Sequence, residues 1–443
     1  MTITDWPLST LLIKNCDWLV TQNPGRDVLR GASVFIEDGT IRSIGEVETH
    51  SADLVIDGKG KIVLPGLVNT HTHLSMCLFR GFADDMQLQD WLGKKIWPLE
   101  AKLTGPDCYV GALLGCAEMI RSGTTSFVDM YFHMSEVARA AAESGLRGFL
   151  CHALIDFFDS TRAKKEQQLS EEFSNYLRTL NNPRIQFALG PHAPYTCSPE
   201  TLLWAKEFAE SNSTIIHIHV AETRREQADF QKQHGMRVVE YLDKIGALSK
   251  NMLAAHCVWI TKSEIGLLAR AGVRVAHCPV SNMKLASGGV TPLPEMFDAG
   301  IAVGLGTDGA ASNNALDMFE TMKVCALLHK AHRWDPTILN AQKVLDLATI
   351  EGARAMGADS VVGSIEVGKK ADVILIDTAA PNLSPIHGKN TVISDLVYSA
   401  SSANVDTTIV DGRVLMRNHQ IESLNLSEVM SKAGEAARRL VSG

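Results

Sequence analysis

The sequence predicts an α/β fold, a (β/α)8 TIM barrel with a small β-sandwich built from both ends of the chain. Three observations predict it: short β-branched runs at the two ends, buried strands alternating with amphipathic helices between them, and polar residues gathered where those strands finish.

The N-terminal runs occupy residues 11–15, 32–39, 41–45 and 61–64, separated by polar turns, which is the pattern of antiparallel sheet. Residues 371–377 and 407–416 repeat it, with Asp411-Gly412 marking a hairpin turn. The two ends are therefore expected to pair as one composite β-sandwich domain, residues 1–64 plus 365–443, around a barrel of residues 65–364. Within the barrel, eight strands are predicted at 63–70, 125–130, 148–155, 185–190, 214–220, 252–257, 273–278 and 302–307. Helical stretches such as 111–122, 199–211, 263–271 and 316–332 lie between most of them, and eight strand–helix units close a parallel barrel.

Chemistry in such barrels sits at the C-terminal ends of the strands. The first strand ends in Asn69-Thr70-His71-Thr72-His73, the fourth in Gly190-Pro191-His192, and the fifth in His217-Ile218-His219-Val220-Ala221-Glu222. The sixth ends in His256, the seventh in His277 and the eighth in Thr307-Asp308. Fifteen histidines scattered at random would not collect at those positions.

His71 and His73, two apart on a strand, point to the same side. With His219 and Asp308 they offer three nitrogens and one oxygen, a set that suits one divalent ion, zinc or ferrous iron, with a position left for water. His217 also faces inward but deeper, and reads as a hydrogen-bonded interior histidine rather than a ligand. Two-metal barrels commonly bridge their ions with a modified lysine at the end of the fourth strand. Residues 185–194 contain no lysine, so one ion per chain is expected.

A metal-bound water is acidified toward neutrality, and its protons then need carriers. Glu222, three residues past His219, is a candidate acid–base group, with a helix N-cap or surface acid as the alternative. His256 could hydrogen-bond the nucleophile or polarise the substrate, or be a satisfied buried histidine. Asp308 can serve as ligand and base together, and His277 as no more than a supporting group.

Pro65-Gly66-Leu67-Val68-Asn69-Thr70-His71-Thr72-His73, His219-Val220-Ala221-Glu222, Ala255-His256-Cys257, His277-Cys278-Pro279-Val280-Ser281-Asn282 and Gly306-Thr307-Asp308-Gly309 follow one another along the barrel. This series resembles the amidohydrolase superfamily, in its branch of aromatic-ring deaminases and triazine hydrolases. The flanking Gly368-Lys369-Lys370-Ala371-Asp372 run resembles it too. Leu78-Phe79-Arg80-Gly81-Phe82, Trp91-Leu92 and Lys95-Ile96-Trp97-Pro98-Leu99-Glu100 are similar to the 5'-methylthioadenosine/S-adenosylhomocysteine deaminases.

That resemblance implies hydrolytic deamination of an adenine ring: attack at C6, N1 protonation by Glu222, proton relay by Asp308 and loss of ammonia. It implies a purine nucleoside partner whose ribose hydroxyls meet Glu100 and whose body contacts His192, and a homo-oligomeric enzyme; Trp91 could cover the nucleoside with apolar area or be a core residue. The family arginine that clamps the homocysteine carboxylate aligns with His152, and the second is placed at Arg162. Methylthioadenosine, adenosine or 5'-deoxyadenosine is therefore expected to be preferred over S-adenosylhomocysteine. Deamination of guanine or 8-oxoguanine, or triazine hydrolysis, is the alternative on the same site. A non-catalytic metal- or nucleoside-binding homologue is another, although such a chain should have lost a ligand or acid–base group and none is missing.

Composition agrees with a globular enzyme. The hydrophobic fraction is 45%, the charged fraction 21% and the formal charge -8, with no basic cluster to suit a nucleic acid or anionic membrane. The nine cysteines contain no C-x-x-C pair, and Met1 to Pro7 lack the basic and apolar regions of a secretory leader. A cytoplasmic protein is expected.

Overall fold

A computed structural model describes residues 9–47 and 51–442. Met1 to Pro7, read above as lacking the regions of a secretory leader, lie outside the described residues. Eight parallel strands form the barrel: Leu67–Thr72 (β1), Thr124–Tyr131 (β2), Arg147–Leu154 (β3), Ile185–Pro191 (β4), Ile215–Val220 (β5), Met252–His256 (β6), Arg274–His277 (β7) and Val303–Leu305 (β8). Most of their residues are buried on both faces, as parallel strands under helices must be. β8 returns to β1: the Asp308 amide donates to His71 O at 2.9 Å, and Thr70 Oγ1 donates to Leu305 O at 2.9 Å. Gly304 makes this closure fit, since a Cβ there would lie 2.3 Å from Thr70 Cγ2 and 3.0 Å from Gly352 Cα.

The single strand expected over 63–70 is two strands. Lys61–Pro65 belongs to a side sheet, antiparallel to Val373–Asp377, and only from Leu67 does the chain enter the barrel. Gly66 is the joint. Its amide donates to Asp372 O at 2.9 Å, and a Cβ would lie 2.1 Å from the Thr125 side chain.

The side sheets draw on both chain ends. One orders Thr40–Gly45, Ala32–Glu37, Thr10–Cys16 and Leu54–Asp57; the other runs from Gln420–Ile421 through Val405–Val410, Val373–Asp377 and Lys61–Pro65 to Val28–Leu29. Ile13, Val34, Ile36, Val63, Leu375 and Ile409 form a shared core between them. Arg147, at the start of β3, reaches Asp372 with two hydrogen bonds of 3.0 Å, a buried bidentate pair that ties the barrel to this layer. Lys389–Tyr398 and Leu426–Ser442 leave the strands and pack as helices on the barrel, the latter through Val429, Ala433, Ala436 and Leu440 against Gly105–Arg121. No helix among the described residues is long and apolar enough to cross a membrane.

Candidate metal and catalytic site

The C-terminal rim of the barrel carries a cavity of about 810 Å3, within the range of small-ligand sites. His73, His192, His219, Glu222, His256 and Asp308 line its floor. At three strand ends the backbone turns sharply to aim these groups. Ala221, His256 and Asp308 hold φ values of 52°, 73° and 63°. Non-glycine residues pay for left-handed backbone, and such strain collects at functional sites.

The floor is a cluster of nitrogens around one carboxylate. His73 Nε2 and His71 Nε2 lie 3.3 and 3.4 Å from Asp308 Oδ1, and His219 Nε2 lies 3.4 Å from His73 Nε2. The far ring nitrogens are anchored: His73 Nδ1 donates to Met130 O and His219 Nδ1 to His192 O, each at 2.7 Å. A carbonyl only accepts, so both rings carry the proton on Nδ1 and can present an Nε2 lone pair to the centre. His71 Nε2 is buried with no hydrogen-bond partner. Convergent imidazole lone pairs, an unpartnered buried nitrogen and one carboxylate fit a divalent metal ion.

The charge balance points the same way. Burial works against the charged forms, yet Asp308 is held well below the usual carboxylate range by His71 and His73. Burial likewise opposes a proton on His73, but its bond to Asp308 outweighs that and raises it to about 9. His71 and His256 are each lowered to about 4 by burial. An ionised carboxylate among convergent imidazoles thus makes a centre whose donors suit a cation. Asp308 is further fixed by the Gly309 amide on Oδ1 at 2.7 Å and the Ser281 hydroxyl on Oδ2 at 2.6 Å.

Beside the cluster, Glu222 has no charged donor against it, and burial, reinforced by Asp308, pushes its carboxyl up to about 8. Its Oε2 lies 3.9 Å from His256 Nε2. The Asn282 amide nitrogen sits 3.0 Å from His256 Nδ1 and can only donate, which leaves the proton on Nε2, facing Glu222. The loop carrying Glu222 is held by Glu226, whose carboxylate accepts from the Ala221 and Glu222 amides at 3.1 and 2.7 Å.

Glu100 and Trp91 also line the cavity. Glu100 accepts from Tyr131 Oη at 2.8 Å, and burial raises its pKa. His192 Nδ1 lies 2.9 Å from Thr196 Oγ1. In the outer cavity, His152 Nε2 pairs with Glu166 Oε2 at 2.7 Å, and the Arg162 guanidinium lies 5.0 Å from the Phe157 ring. The structure thus brings His71, His73, His219, Asp308, Glu222 and His256 together, with Glu100, His192 and Trp91 on the same cavity. His277 pairs instead with His329 at 3.3 Å, outside the cavity lining.

Ser281, Asn282, Glu226 and Tyr131 had no role in the sequence reading. Only Glu226 left a local signal, as the last residue of Thr223-Arg224-Arg225-Glu226, the spacing of a capping box.

Residues 62–415 match the model of the amidohydrolase family. The chain is 50% identical over 413 residues to the 5'-deoxyadenosine deaminase of Methanothermobacter thermautotrophicus, covering 93% of this chain and 95% of that protein. It is 48% identical over 412 residues to the 5-methylthioadenosine/S-adenosylhomocysteine deaminase of Thermococcus onnurineus, again 93% and 95%. A crystal structure of an adenosine deaminase from Xanthomonas campestris with bound zinc superposes with a TM-score of 0.92 at 34% identity, over 98% of this chain and 99% of that one.

Proposed function

The chain belongs to the amidohydrolase family, and from that premise we propose that it deaminates the adenine ring of small 5'-substituted or 5'-deoxy adenosines to the inosine analogue and ammonia. The observation that carries this reading is the position of Glu222: a buried carboxyl 3.9 Å from His256 Nε2, beside a metal-type cluster, on a cavity wide enough for a nucleoside.

His71, His73, His219 and Asp308 would hold one divalent ion, zinc by the chemistry of three imidazoles and a carboxylate. When bound, the ion supplies a water acidified to near neutrality. Every other task falls to side chains. Asp308 accepts the proton of the attacking water as its oxygen bonds to C6 of adenine. Glu222 gives its proton to N1, so the negative charge that builds on the ring is neutralised as it forms. His256, with its proton on Nε2, donates to the attacking oxygen. Asp308 passes the proton it accepted to the exocyclic nitrogen, the C6–N bond breaks as ammonia leaves, and the C6 hydroxyl returns its proton to Glu222 as the carbonyl forms. Glu100, which accepts from Tyr131, lines the cavity with Trp91 and His192; it would accept from the two vicinal hydroxyls of a ribose, with Trp91 and His192 against the nucleoside.

The His152–Glu166 pair sets the preference among 5' groups. Its imidazole is already satisfied by a carboxylate, and Glu166 and Glu172 both line the outer cavity with Arg162. An amino acid tail would bring an ammonium that Glu166 and Glu172 can accept but also a carboxylate, which those acids repel and for which His152, already paired, offers no bidentate partner. A methylthio or methyl group would instead meet Phe157 and Leu169. In a panel monitored for ammonia release, 5'-deoxyadenosine, methylthioadenosine and adenosine are expected to exceed S-adenosylhomocysteine in kcat/KM by about tenfold or more, the scale of one lost charge-assisted hydrogen bond. Guanine and a chlorinated triazine should yield no product. Turnover of those two but of no adenosine would overturn the reading.

Metal uptake should depend on pH in a defined direction. Without metal, His73 keeps its proton up to about 9. To act as a ligand it must lose that proton, so zinc binding displaces it below that pH and weakens as pH falls. One displaced proton corresponds to about a tenfold change in the zinc dissociation constant per pH unit. Chelator-competition titrations at about pH 6.5 and about pH 7.5 should therefore differ by about tenfold. Identical constants would count against His73 as a ligand.

A further inference from the structure

Two of the three clustered imidazoles are oriented by backbone carbonyls, Met130 O for His73 and His192 O for His219. His71 is different. Its Nδ1 lies 2.6 Å from Nε2 of His217, a second imidazole, fully buried one layer deeper on the same strand as His219. Either nitrogen of that contact could in principle carry the proton. If His217 Nε2 carried it, His71 Nδ1 would be the acceptor, and the proton of neutral His71 would sit on Nε2, where it blocks a metal.

The other end of His217 decides the matter. Its Nδ1 lies 3.3 Å from Leu253 O, which is held opposite it by the pairing of β5 with β6. That carbonyl can only accept, so the His217 proton belongs on Nδ1 and its Nε2 is an acceptor. His71 then donates from Nδ1, and its buried, unpartnered Nε2 keeps a lone pair toward Asp308, His73 and His219.

We propose that His217 is a positioning residue that sets the metal-binding tautomer of His71, relaying the direction of the Leu253 carbonyl through one imidazole to the next. The inference rests on the metal reading of the site, and concerns the one histidine ligand whose orientation depends on a side chain. Groups that anchor the far nitrogen of a ligating histidine fix its orientation and raise its basicity, and their loss typically weakens metal binding by about 10–100-fold.

Two substitutions of similar polarity separate this role from simple packing. In His217→Gln the amide oxygen can stand near the place of Nε2 and accept from His71. In His217→Asn the shorter amide stands near the place of Nδ1, keeps the bond to Leu253 O and does not reach His71. Zinc dissociation constants of the purified proteins, measured by competition with a chromophoric chelator, should be within a few-fold of the unmodified chain for Gln and weaker by about 10–100-fold for Asn. A residue that serves only to satisfy Leu253 O predicts the reverse order. Wild-type zinc affinity in the Asn variant, or greater loss in Gln than in Asn, overturns the proposal while leaving the metal site intact. Absence of zinc binding by the unmodified chain overturns the metal reading itself. Melting temperatures of the metal-free variants identify any loss that comes from unfolding.

Discussion

Glu222→Gln is expected to keep its zinc and its fold and to lose turnover by about 10²–10⁴-fold, the usual contribution of a positioned acid–base group. The substitution keeps shape and volume. The loop stays in place because Glu226 holds the backbone amides of residues 221 and 222, not the Glu222 carboxyl. What disappears is a transferable proton. Burial and Asp308 keep the Glu222 carboxyl protonated near neutral pH, the state from which it can deliver a proton to a ring nitrogen as charge develops there. An amide can donate a hydrogen bond to that nitrogen but cannot give the proton up. The loss should therefore fall on kcat, with KM for 5'-deoxyadenosine little changed. Zinc content, melting temperature and ammonia release on one preparation test the claim. A variant within tenfold of the unmodified chain would remove Glu222 from its role.

The contrast between what sequence reading located and what it missed has a physical reason. Ligand and acid–base candidates stood on strand ends, where residue type, period-two spacing and the directionality of a parallel barrel all constrain position, so His71, His73, His219, Glu222, His256 and Asp308 were legible one by one. Their supports come from distant chain segments. Ser281 reaches Asp308 across 27 residues, Tyr131 reaches Glu100 across 31, and His217 reaches His71 across 146. No local pattern encodes such contacts. The first barrel strand was misjudged for a related reason. Ile62-Val63-Leu64 and Leu67-Val68 read as one apolar strand across Pro65-Gly66, and the pairing partners show that the chain changes sheets there. The eighth strand is regular only over Val303–Leu305; beyond it Asp308, its amide still bonded to His71 O, takes the left-handed conformation that turns its carboxylate into the cavity.

Asp308→Asn should have a larger effect than Glu222→Gln and a different one. Asparagine tolerates a φ of 63°, so the backbone at the end of β8 is not the point of failure. The electrostatics are. Asp308 is the one carboxylate among the clustered imidazoles, and its Oδ1 faces His71 and His73 at 3.4 and 3.3 Å while Oδ2 accepts from Ser281. A neutral amide leaves no negative ligand in the cluster. It also turns an N–H₂ group either toward the imidazole nitrogens or toward the Ser281 hydroxyl. Zinc should then dissociate on dialysis against a chelator under conditions in which Glu222→Gln retains it, and the acceptor for the attacking water's proton is gone as well. Loss of an acid–base group and weakened metal binding together predict turnover lower by about 10⁴-fold or more. Excess zinc in the assay should restore only the metal-dependent part of that loss. Full activity at saturating zinc would show that Asp308 is a ligand without a part in proton transfer, and unchanged zinc affinity would show that it is not a ligand at all.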